Sequence, residues 1–418
     1  MKMKDSGLEW IGKIPEKWEV ASNKFVMNKI KQIIPKYTDE PILSLSMKGV
    51  HERNLDDGGK MPATFDGYQI VKEGNLLLCL FDIDVTPRCV GFIQNDGVTS
   101  PAYSQYKVNF RNSAKYYYYY YLMIDNSKVL VHLTKSLRNT INTDQFDNIK
   151  TLVPPKPEQE QIADFLDHKT TVIDGLIDKI NTEIDILKQY QNSVITQAVT
   201  KGLNPNVSMK DSGIEWIGKI PEKWEVAPLY KYFTERKNKN RDGNEKNLLS
   251  LSYGRIVRKN IESKGGLLPK SFTTYNIIEP GDIIIRPTDL QNDKRSLRTG
   301  LCNEHGIITS AYIDLAPENE TNSRYYYYLL HSYDIQKVFY NMGNGVRQGL
   351  NYSEFSKLRL PIPGQTEQEQ ISDYLDQKVT KIQKIIKDKQ QQINQLTKYK
   401  NSLIFEYVTG KKQVKEAN

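Results

Sequence analysis

The chain contains the same eighteen-residue segment twice. Residues 3–20 read MKDSGLEWIGKIPEKWEV and residues 209–226 read MKDSGIEWIGKIPEKWEV, so the copies differ only at Leu8 and Ile214. A second match, EQEQI, opens a long amphipathic pattern at Glu158 and again at Glu367. Matches at an almost constant offset predict two copies of one structural unit, each a globular domain followed by a long helix. Such a duplication imitates a symmetric dimer and presents two similar surfaces.

Both long patterns carry apolar residues at seven-residue spacing, which is typical of a coiled coil. These candidate spacer residues are Leu166, Ile173, Ile180, Leu187 and Val194 in the first helix, and Leu375, Ile382, Leu396 and Leu403 in the second. Lys389 stands where the first helix has Ile180, and a polar residue at such a position can fix the register of a coiled coil.

The ends of the two helices are also marked in the sequence. Thr366 and Glu369 predict a capping box at the start of the second helix, and Gly202 and Gly410 predict the two C-terminal ends. A helix of about 44 residues measures roughly 66 Å. Since the second globular domain lies between the helices, we expect them to pair antiparallel as a rod of fixed length. The alternative is that each helix packs separately on its own domain.

We therefore predict an α+β protein with an internal pseudo-twofold repeat, in which two mixed α/β domains are joined by an antiparallel coiled coil. The predicted segments are a first domain at 1–153, a helix at 154–202, a linker at 203–208, a second domain at 209–362, a helix at 363–410 and a tail at 411–418. Short β-rich runs at 42–45, 76–81, 248–251 and 283–285 predict strands. The tyrosine tracts at 116–121 and 325–328 predict helices, and their rings either pack on the sheet or stack on unpaired bases.

The two domains share a scaffold but differ in their loops. After a common Leu-Ser-Leu-Ser, the first domain continues with Met47-Lys48-Gly49 and the second with Tyr253-Gly254-Arg255. After a common hydrophobic strand, the loops 81–88 and 286–298 have unrelated sequences. A retained scaffold with changed loops indicates two different specificities.

Bulk properties exclude several classes of protein. The net charge of +8 is compatible with binding nucleic acid but does not establish it. No apolar run approaches the ~20 residues of a membrane span, and three scattered cysteines suit the cytoplasm. The chain lacks a phosphate-binding GxxxxGK[ST] loop, an Asn-Pro-Pro-Tyr methyltransferase motif and metal-ligand spacing of His and Cys. We predict a chain that is not itself an enzyme and holds no metal.

The repeated MKDSGxEWIGKIPEKWEV, the junction VTKGLNPNVSMKDSG at 199–213 and the PxxEQEQI helix openings closely resemble the specificity subunits of Type I restriction-modification systems. The resemblance covers essentially the whole chain. It implies that each globular domain reads one half of a bipartite site in duplex DNA, that the paired helices set the gap, and that two methyltransferase subunits dock on the chain together with restriction subunits. S-adenosylmethionine, ATP and Mg would then be bound by those partner subunits, with no cofactor in this chain.

Under this resemblance, the residues that contact DNA should carry planar or cationic donors in the variable segments, since Arg paired with guanine is the commonest specific contact. The candidates are Lys48, Arg53, Arg88 and Arg138 in the first domain, and Tyr253, Arg255, Arg286, Arg295, Arg298 and Arg347 in the second. Arg138 and Arg347 occupy matching positions, which favours a shared role such as phosphate anchoring. The competing function is a coiled-coil adaptor whose two domains bind proteins instead of DNA.

Overall fold

The computed structural model describes residues 2–55, 62–134, 139–261, 269, 271–290, 293, 297–342 and 349–414. The chain forms two compact units: the first comprises Met1–Ile180 with Gln390–Asn418, and the second comprises Asn181–Lys389. Both boundaries lie inside the long helices. Each unit therefore contains one globular domain and one part of each helix.

The first globular domain is built on short antiparallel strands and three short helices. The strands are β1 (Met3–Asp5), β2 (Lys13–Pro15), β3 (Glu19–Ser22), β4 (Met27–Ile30), β5 (Leu43–Ser46), β6 (Gly49–Glu52), β7 (Gln69–Val71), β8 (Leu76–Leu78), β9 (Val90–Phe92), β10 (Gly97–Thr99), β11 (Ser104–Val108) and β12 (Lys150–Val153). The helices are α1 (Ala114–Asn126), α2 (Val129–Leu133) and α3 (Thr143–Asn148), and the long helix α4 (Lys156–Lys201) follows. A four-stranded sheet in the order β4-β11-β8-β9 is the largest sheet of this domain in the described residues.

The second globular domain repeats this topology strand for strand. Its strands are β13 (Met209–Asp211), β14 (Lys219–Pro221), β15 (Glu225–Pro228), β16 (Phe233–Glu235), β17 (Leu249–Ser252), β18 (Arg255–Arg258), β19 (Asn276–Ile278), β20 (Ile283–Ile285), β21 (Thr299–Leu301), β22 (Gly306–Ile308), β23 (Ile313–Pro317) and β24 (Arg359–Ile362). Its helices are α5 (Ser323–Ile335) and α6 (Tyr352–Phe355), and the long helix α7 (Gln365–Val408) follows. The four-stranded sheet here has the order β16-β23-β20-β21. The predicted duplication of a mixed α/β domain is thus confirmed.

The two long helices pair antiparallel within each unit. In the first unit, the ring of Phe165 on α4 packs at a tilt against that of Tyr407 on α7 with 4.4 Å between ring centroids, and Lys400 donates to Asp174 at 2.6 Å. In the second unit, Lys389 pairs with Glu183. The polar residue predicted to fix register thus has an oppositely charged partner on the facing helix.

The burial of the spacer residues varies along the helices: Leu166, Ile173 and Leu403 belong to the core of the first unit and Leu375 to that of the second. Leu166, Ile173, Leu375, Ile382 and Leu403 are buried, whereas Ile180, Leu187, Val194 and Leu396 are half-buried. Two paired helices enclose only one stripe of side chains, so Ile180 and Leu187, which belong to neither domain core, stay partly open to solvent.

One predicted helix start is wrong. Helix α7 begins at Gln365, so Thr366 lies inside the first turn instead of capping it. The backbone N–H of Gln368 already donates to the carbonyl of Gly364 at 3.0 Å, which opens the helix before Thr366. The predicted C-terminal glycines do adopt left-handed backbone angles, with φ of 76° at Gly202 and 68° at Gly410.

Each repeated eighteen-residue segment packs on the C-terminal end of a long helix. In the first unit, Lys411 donates to the carbonyl oxygens of Ile11 at 2.9 Å and Lys13 at 3.2 Å. In the second unit, Lys201 makes the equivalent bond to Ile217 at 3.0 Å. In the first unit, the repeated segment 3–20 is therefore bound to Lys411, just after α7. In the second unit, the repeated segment 209–226 is bound in the same way to Lys201, at the end of α4.

The identical tryptophans of the repeats anchor these contacts. Trp18 is fully buried and its indole N–H donates to Glu158 at 2.9 Å; Trp224 makes the same bond to Glu367 at 2.9 Å. Each bond ties a repeated segment to the first turn of the helix that follows its own domain.

We expect Trp18→Ala to lower the free energy of unfolding by about 3–5 kcal/mol, because it empties a large buried site. Trp18→Phe should cost less, about 1–3 kcal/mol, because it removes mainly the hydrogen bond to a carboxylate. The matched control is Trp216→Ala, since the Trp216 side chain is 42% exposed. Denaturant unfolding followed by circular dichroism measures all three, and equal losses for Trp18→Ala and Trp216→Ala would contradict this packing.

Both tyrosine tracts form helices whose rings face the protein interior. Tyr116, Tyr117 and Tyr120 are fully buried on α1, and the Tyr116 hydroxyl donates to the carbonyl of Val408 at 2.8 Å. On α5 the Tyr325 hydroxyl donates to Pro361 at 2.9 Å. The rings belong to the core, so packing on the sheet accounts for them and stacking on bases does not.

Within the described part of the chain, no helix is long and apolar enough to cross a membrane.

Candidate nucleic-acid interface

Three cationic candidates of the first domain line one groove. Lys48 lies in the turn between β5 and β6, Arg53 follows β6, and Arg88 precedes β9. The groove has a volume of about 930 Å³, and its polar lining also includes Ser44, Ser46, His51, Thr86 and Tyr103. Arg138 lies outside the described residues. Cationic donors beside hydroxyl groups form a surface that suits phosphates and the edges of bases.

The groove exists because the β5–β6 hairpin lies directly on the four-stranded sheet. A Cβ atom at Gly91 would lie 2.5 Å from Val50 Cγ2, a distance that only glycine permits. The second unit has the same close approach of hairpin and sheet, since a Cβ at Gly300 would lie 2.6 Å from Leu251 Cδ1. A glycine on the sheet thus seats each hairpin at the same place.

The tips of the two hairpins present different chemistry at equivalent positions. In the first unit the turn residues are Met47 and Lys48, and the Met47 side chain is 61% exposed. In the second unit they are Tyr253 and Gly254, with φ of 47° and 77°, and Tyr253 is 81% exposed. The two exposed residues lie on the same scaffold and offer a thioether in one copy and a phenol in the other.

Arg88 and Arg255 are each held by a neighbour. The Arg88 guanidinium donates to Asn126 at 3.0 Å and lies 3.7 Å from the Asp125 carboxylate, which leaves its side chain 13% exposed. Arg255 donates to Gln383 on α7. Both arginines are therefore fixed in direction at the surface of their own units.

In the second domain the structure separates the arginines that the sequence grouped together. The Arg286 side chain is 27% exposed and pairs with Asp293 at 3.1 Å. Arg298 is completely buried, and its guanidinium donates to backbone carbonyls. Naming Arg298 as a residue that contacts DNA is therefore wrong, because no part of its side chain reaches the surface. Arg295 and Arg347 lie outside the described residues.

A buried ionic cluster distinguishes the second sheet from the first. Asp282 and Asp314 are both buried, and Arg236 donates to Asp282 through Nε at 2.9 Å and Nη2 at 3.0 Å. Burial and the nearby Asp282 charge raise the pKa of Asp314 to about 8, although Arg236 acts in the opposite direction. The equivalent pair in the first sheet is neutral: the Asn75 amide donates to Gln105 at 2.9 Å.

We expect this cluster to make stability depend on pH. A carboxyl group whose pKa is raised on folding binds its proton more tightly in the folded state, so the free energy of unfolding falls as the pH rises from about 4 to about 8. Asp314→Asn should flatten that decline, since an amide carries no titrating proton. Unfolding measured between pH 5 and pH 8 tests this, with the exposed Glu215→Gln as control. An unchanged slope in Asp314→Asn would show that Asp314 is ionised throughout.

The sequence reasoning missed two aspartates that close the variable loops. Asp125 accepts the backbone N–H of Cys89 at 2.8 Å, and Asp334 accepts that of Arg298. Both aspartates are nearly fully buried near the end of a tyrosine-rich helix, and both follow the loop they close in the chain. Their offset of 209 residues matches that of the EQEQI motifs, so extending the repeat alignment past the tyrosines would have paired them.

Comparison with known proteins agrees with this architecture. A family model described as the Type I restriction modification DNA specificity domain matches residues 89–185 and 303–395, once in each repeat. Two proteins of Methanocaldococcus jannaschii named as type I restriction enzyme specificity subunits, MjaX and MjaVIII, are 28% and 25% identical over 66% and 65% of this chain. The matched region spans 63% and 64% of those relatives' lengths.

A solved structure from work on complex assembly and conformational transition of the type I R-M system has a TM-score of 0.66 and 12% identity, covering 95% of this chain and 99% of that one. At this identity the likeness concerns the fold. Each repeat thus contains a region similar to the DNA specificity domain, and a long helix follows each globular domain. The chain is therefore similar to Type I restriction-modification specificity subunits in both of its repeats.

Proposed function

We propose that this chain recognises an asymmetric, bipartite site in duplex DNA, with one half read by each globular domain. The observation that carries the proposal is the contrast between identical topology and unlike exposed groups. The two sheets share strand order and register, while the hairpin tips differ as Met47-Lys48 against Tyr253-Gly254. Two copies that read the same bases would not need different tips, so unlike half-sites are the expected target.

Partner subunits would carry out the chemistry. Among the described residues no group of His, Cys, Asp or Glu is arranged to hold a metal ion. Two methyltransferase subunits that bind S-adenosylmethionine would modify the site, and restriction subunits that use ATP and Mg would cleave DNA. This chain supplies sequence specificity and geometry, and the cytoplasm is the compartment in which it would meet chromosomal DNA.

The repeated segments support the docking of two identical partners. They match at seventeen of eighteen positions although the domains that follow them have diverged. The match includes side chains exposed in both copies: Met3 and Met209 are each 37% exposed, and Lys4 and Lys210 are also exposed. The core does not require identity at exposed positions, so a common partner surface is the simpler reason for it.

Competition binding tests the recognition proposal. The chain assembled with its methyltransferase partner is incubated with a pool of random duplexes and an excess of unrelated competitor DNA. Site-specific complexes typically bind 10³–10⁷-fold more tightly than non-specific ones, so we expect a split motif to be enriched. Retention that is weak and independent of sequence would refute DNA recognition and favour an adaptor whose domains bind proteins.

A further inference from the structure

Arg298 lies at the end of the variable loop that begins at Arg286 in the second domain, and its buried side chain binds backbone groups of that loop. It is the last residue before β21, and its backbone is fixed at both polar atoms: its N–H donates to the Asp334 carboxylate, and its carbonyl accepts the Arg286 N–H at 2.8 Å. The residue is completely buried. Position 298 is therefore tied both to the start of its own loop and to the end of α5.

The guanidinium of Arg298 binds backbone carbonyl groups among the described residues of this loop. It donates to the backbone carbonyls of Thr288 at 2.5 Å, Asp289 at 3.0 Å and Asp293 at 2.6 Å. It also lies 5.1 Å from the ring centroid of Tyr340 and donates to that hydroxyl at 3.2 Å. Carbonyl groups inside a loop need donors, and a single planar guanidinium supplies them here.

Arg298 also determines where Arg286 lies. The Asp293 carbonyl is held by Arg298 and by the Tyr340 hydroxyl at 3.0 Å, and the Asp293 carboxylate pairs with Arg286 at 3.1 Å. Arg286 is a partly exposed cation among the described residues of this loop. A chain of contacts thus runs from the buried arginine through Asp293 to the side chain that can reach a ligand.

The corresponding loop of the first domain is held by different contacts. Cys89 stands at the position equivalent to Arg298, and its N–H donates to Asp125 as that of Arg298 does to Asp334. The nearby arginine, Arg88, bonds to the side chain of Asn126 and not to carbonyls of its loop. The aspartate anchor is common to both domains, whereas the arginine-centred loop is particular to the second.

We propose that Arg298 is a positioning residue for base recognition by the second domain: it fixes the backbone at Thr288, Asp289 and Asp293 and the direction of Arg286 without touching DNA. The inference rests on the proposed function, since it concerns how one half-site is read. It places a determinant of specificity in the protein interior, where it acts on the base-reading residues through the loop backbone.

The test uses the chain assembled with its methyltransferase partner and a panel of duplexes with one base pair changed at a time. Arg298→Lys cannot supply the planar set of donors, so discrimination should fall about tenfold at several positions of the second half-site. Discrimination in the first half-site and the salt dependence of binding should stay unchanged, because no phosphate contact is lost. Arg258→Lys, at an exposed arginine of the same unit, is the matched control.

Asp293→Asn provides a second variant that leaves the carbonyl contacts of Arg298 in place. It should weaken discrimination only at the base pair that also depends on Arg286, as judged with Arg286→Ala. The inference is overturned if Arg298→Lys relaxes a single base pair and reduces the salt dependence, since that would indicate direct contact. It is also overturned if Arg298→Lys lowers stability with discrimination intact. A wild-type complex without any site preference would instead refute the proposed function itself.

Discussion

Replacing residues 227–362 by the corresponding segment of a Type I specificity subunit is expected to change one half of the recognised site completely and to leave the other half unaltered. The segment begins and ends within the β15–β24 pair, where Val226 lies opposite Pro361, so an exchange at these points keeps a shared two-stranded element at both junctions. The loops that differ between the domains, including the Tyr253 turn and the Arg286 loop, are then exchanged together.

The expected loss of affinity for the original site is large, because specific binding falls towards the non-specific level when half of the contacts are removed, by about 10³-fold or more. Exchange of residues 21–153 is the reciprocal control and should alter the other half-site. A chimera that changes both halves would show that the two domains do not read DNA independently.

Inserting one heptad into both long helices is expected to lengthen the gap between the half-sites without changing the bases of either. The insertion points are the unit boundaries, after Ile180 in α4 and after Lys389 in α7. Seven residues add about 10.5 Å of helix, or roughly three base pairs at 3.4 Å each. A heptad also returns the apolar stripe to the same face of the coiled coil.

The control for this prediction is the same insertion in one helix alone. It would shift one helix past the other, so that the Lys389–Glu183 and Lys400–Asp174 ion pairs could no longer form at the same time. We therefore expect loss of stability and of site-specific binding. If the double insertion changes bases within a half-site and leaves the gap constant, the paired helices do not set the spacing.

The features that could be predicted from the sequence are those that depend on local periodicity or on self-similarity. The heptad spacing gave the antiparallel pair, because an apolar stripe without a partner is unstable in water. The tyrosine tracts were assigned to helices for a similar local reason. The predicted helix start at Thr366 is wrong, because the backbone hydrogen bond from Gln368 to Gly364 leaves no sequence signature.

Contacts that depend on distant segments could not be predicted. Some partners of Arg298 lie in its own loop, but others come from Asp334 on α5 and from Tyr340, which are 36 and 42 residues further along the chain. The fastening of the repeated segments to the far ends of helices was equally hidden, because Lys411 and Ile11 are 400 residues apart. Repeat alignment indicates which positions correspond, whereas burial depends on which remote groups meet.

Mapping modified adenines in a methylation-free host that expresses this chain with its methyltransferase partner tests the central claim most directly. Our account predicts methylation at one split, asymmetric motif with a constant gap between its halves. If the two proteins assemble and bind S-adenosylmethionine but leave the DNA unmodified, or modify it without a split motif, the account of two domains reading two unlike half-sites is contradicted.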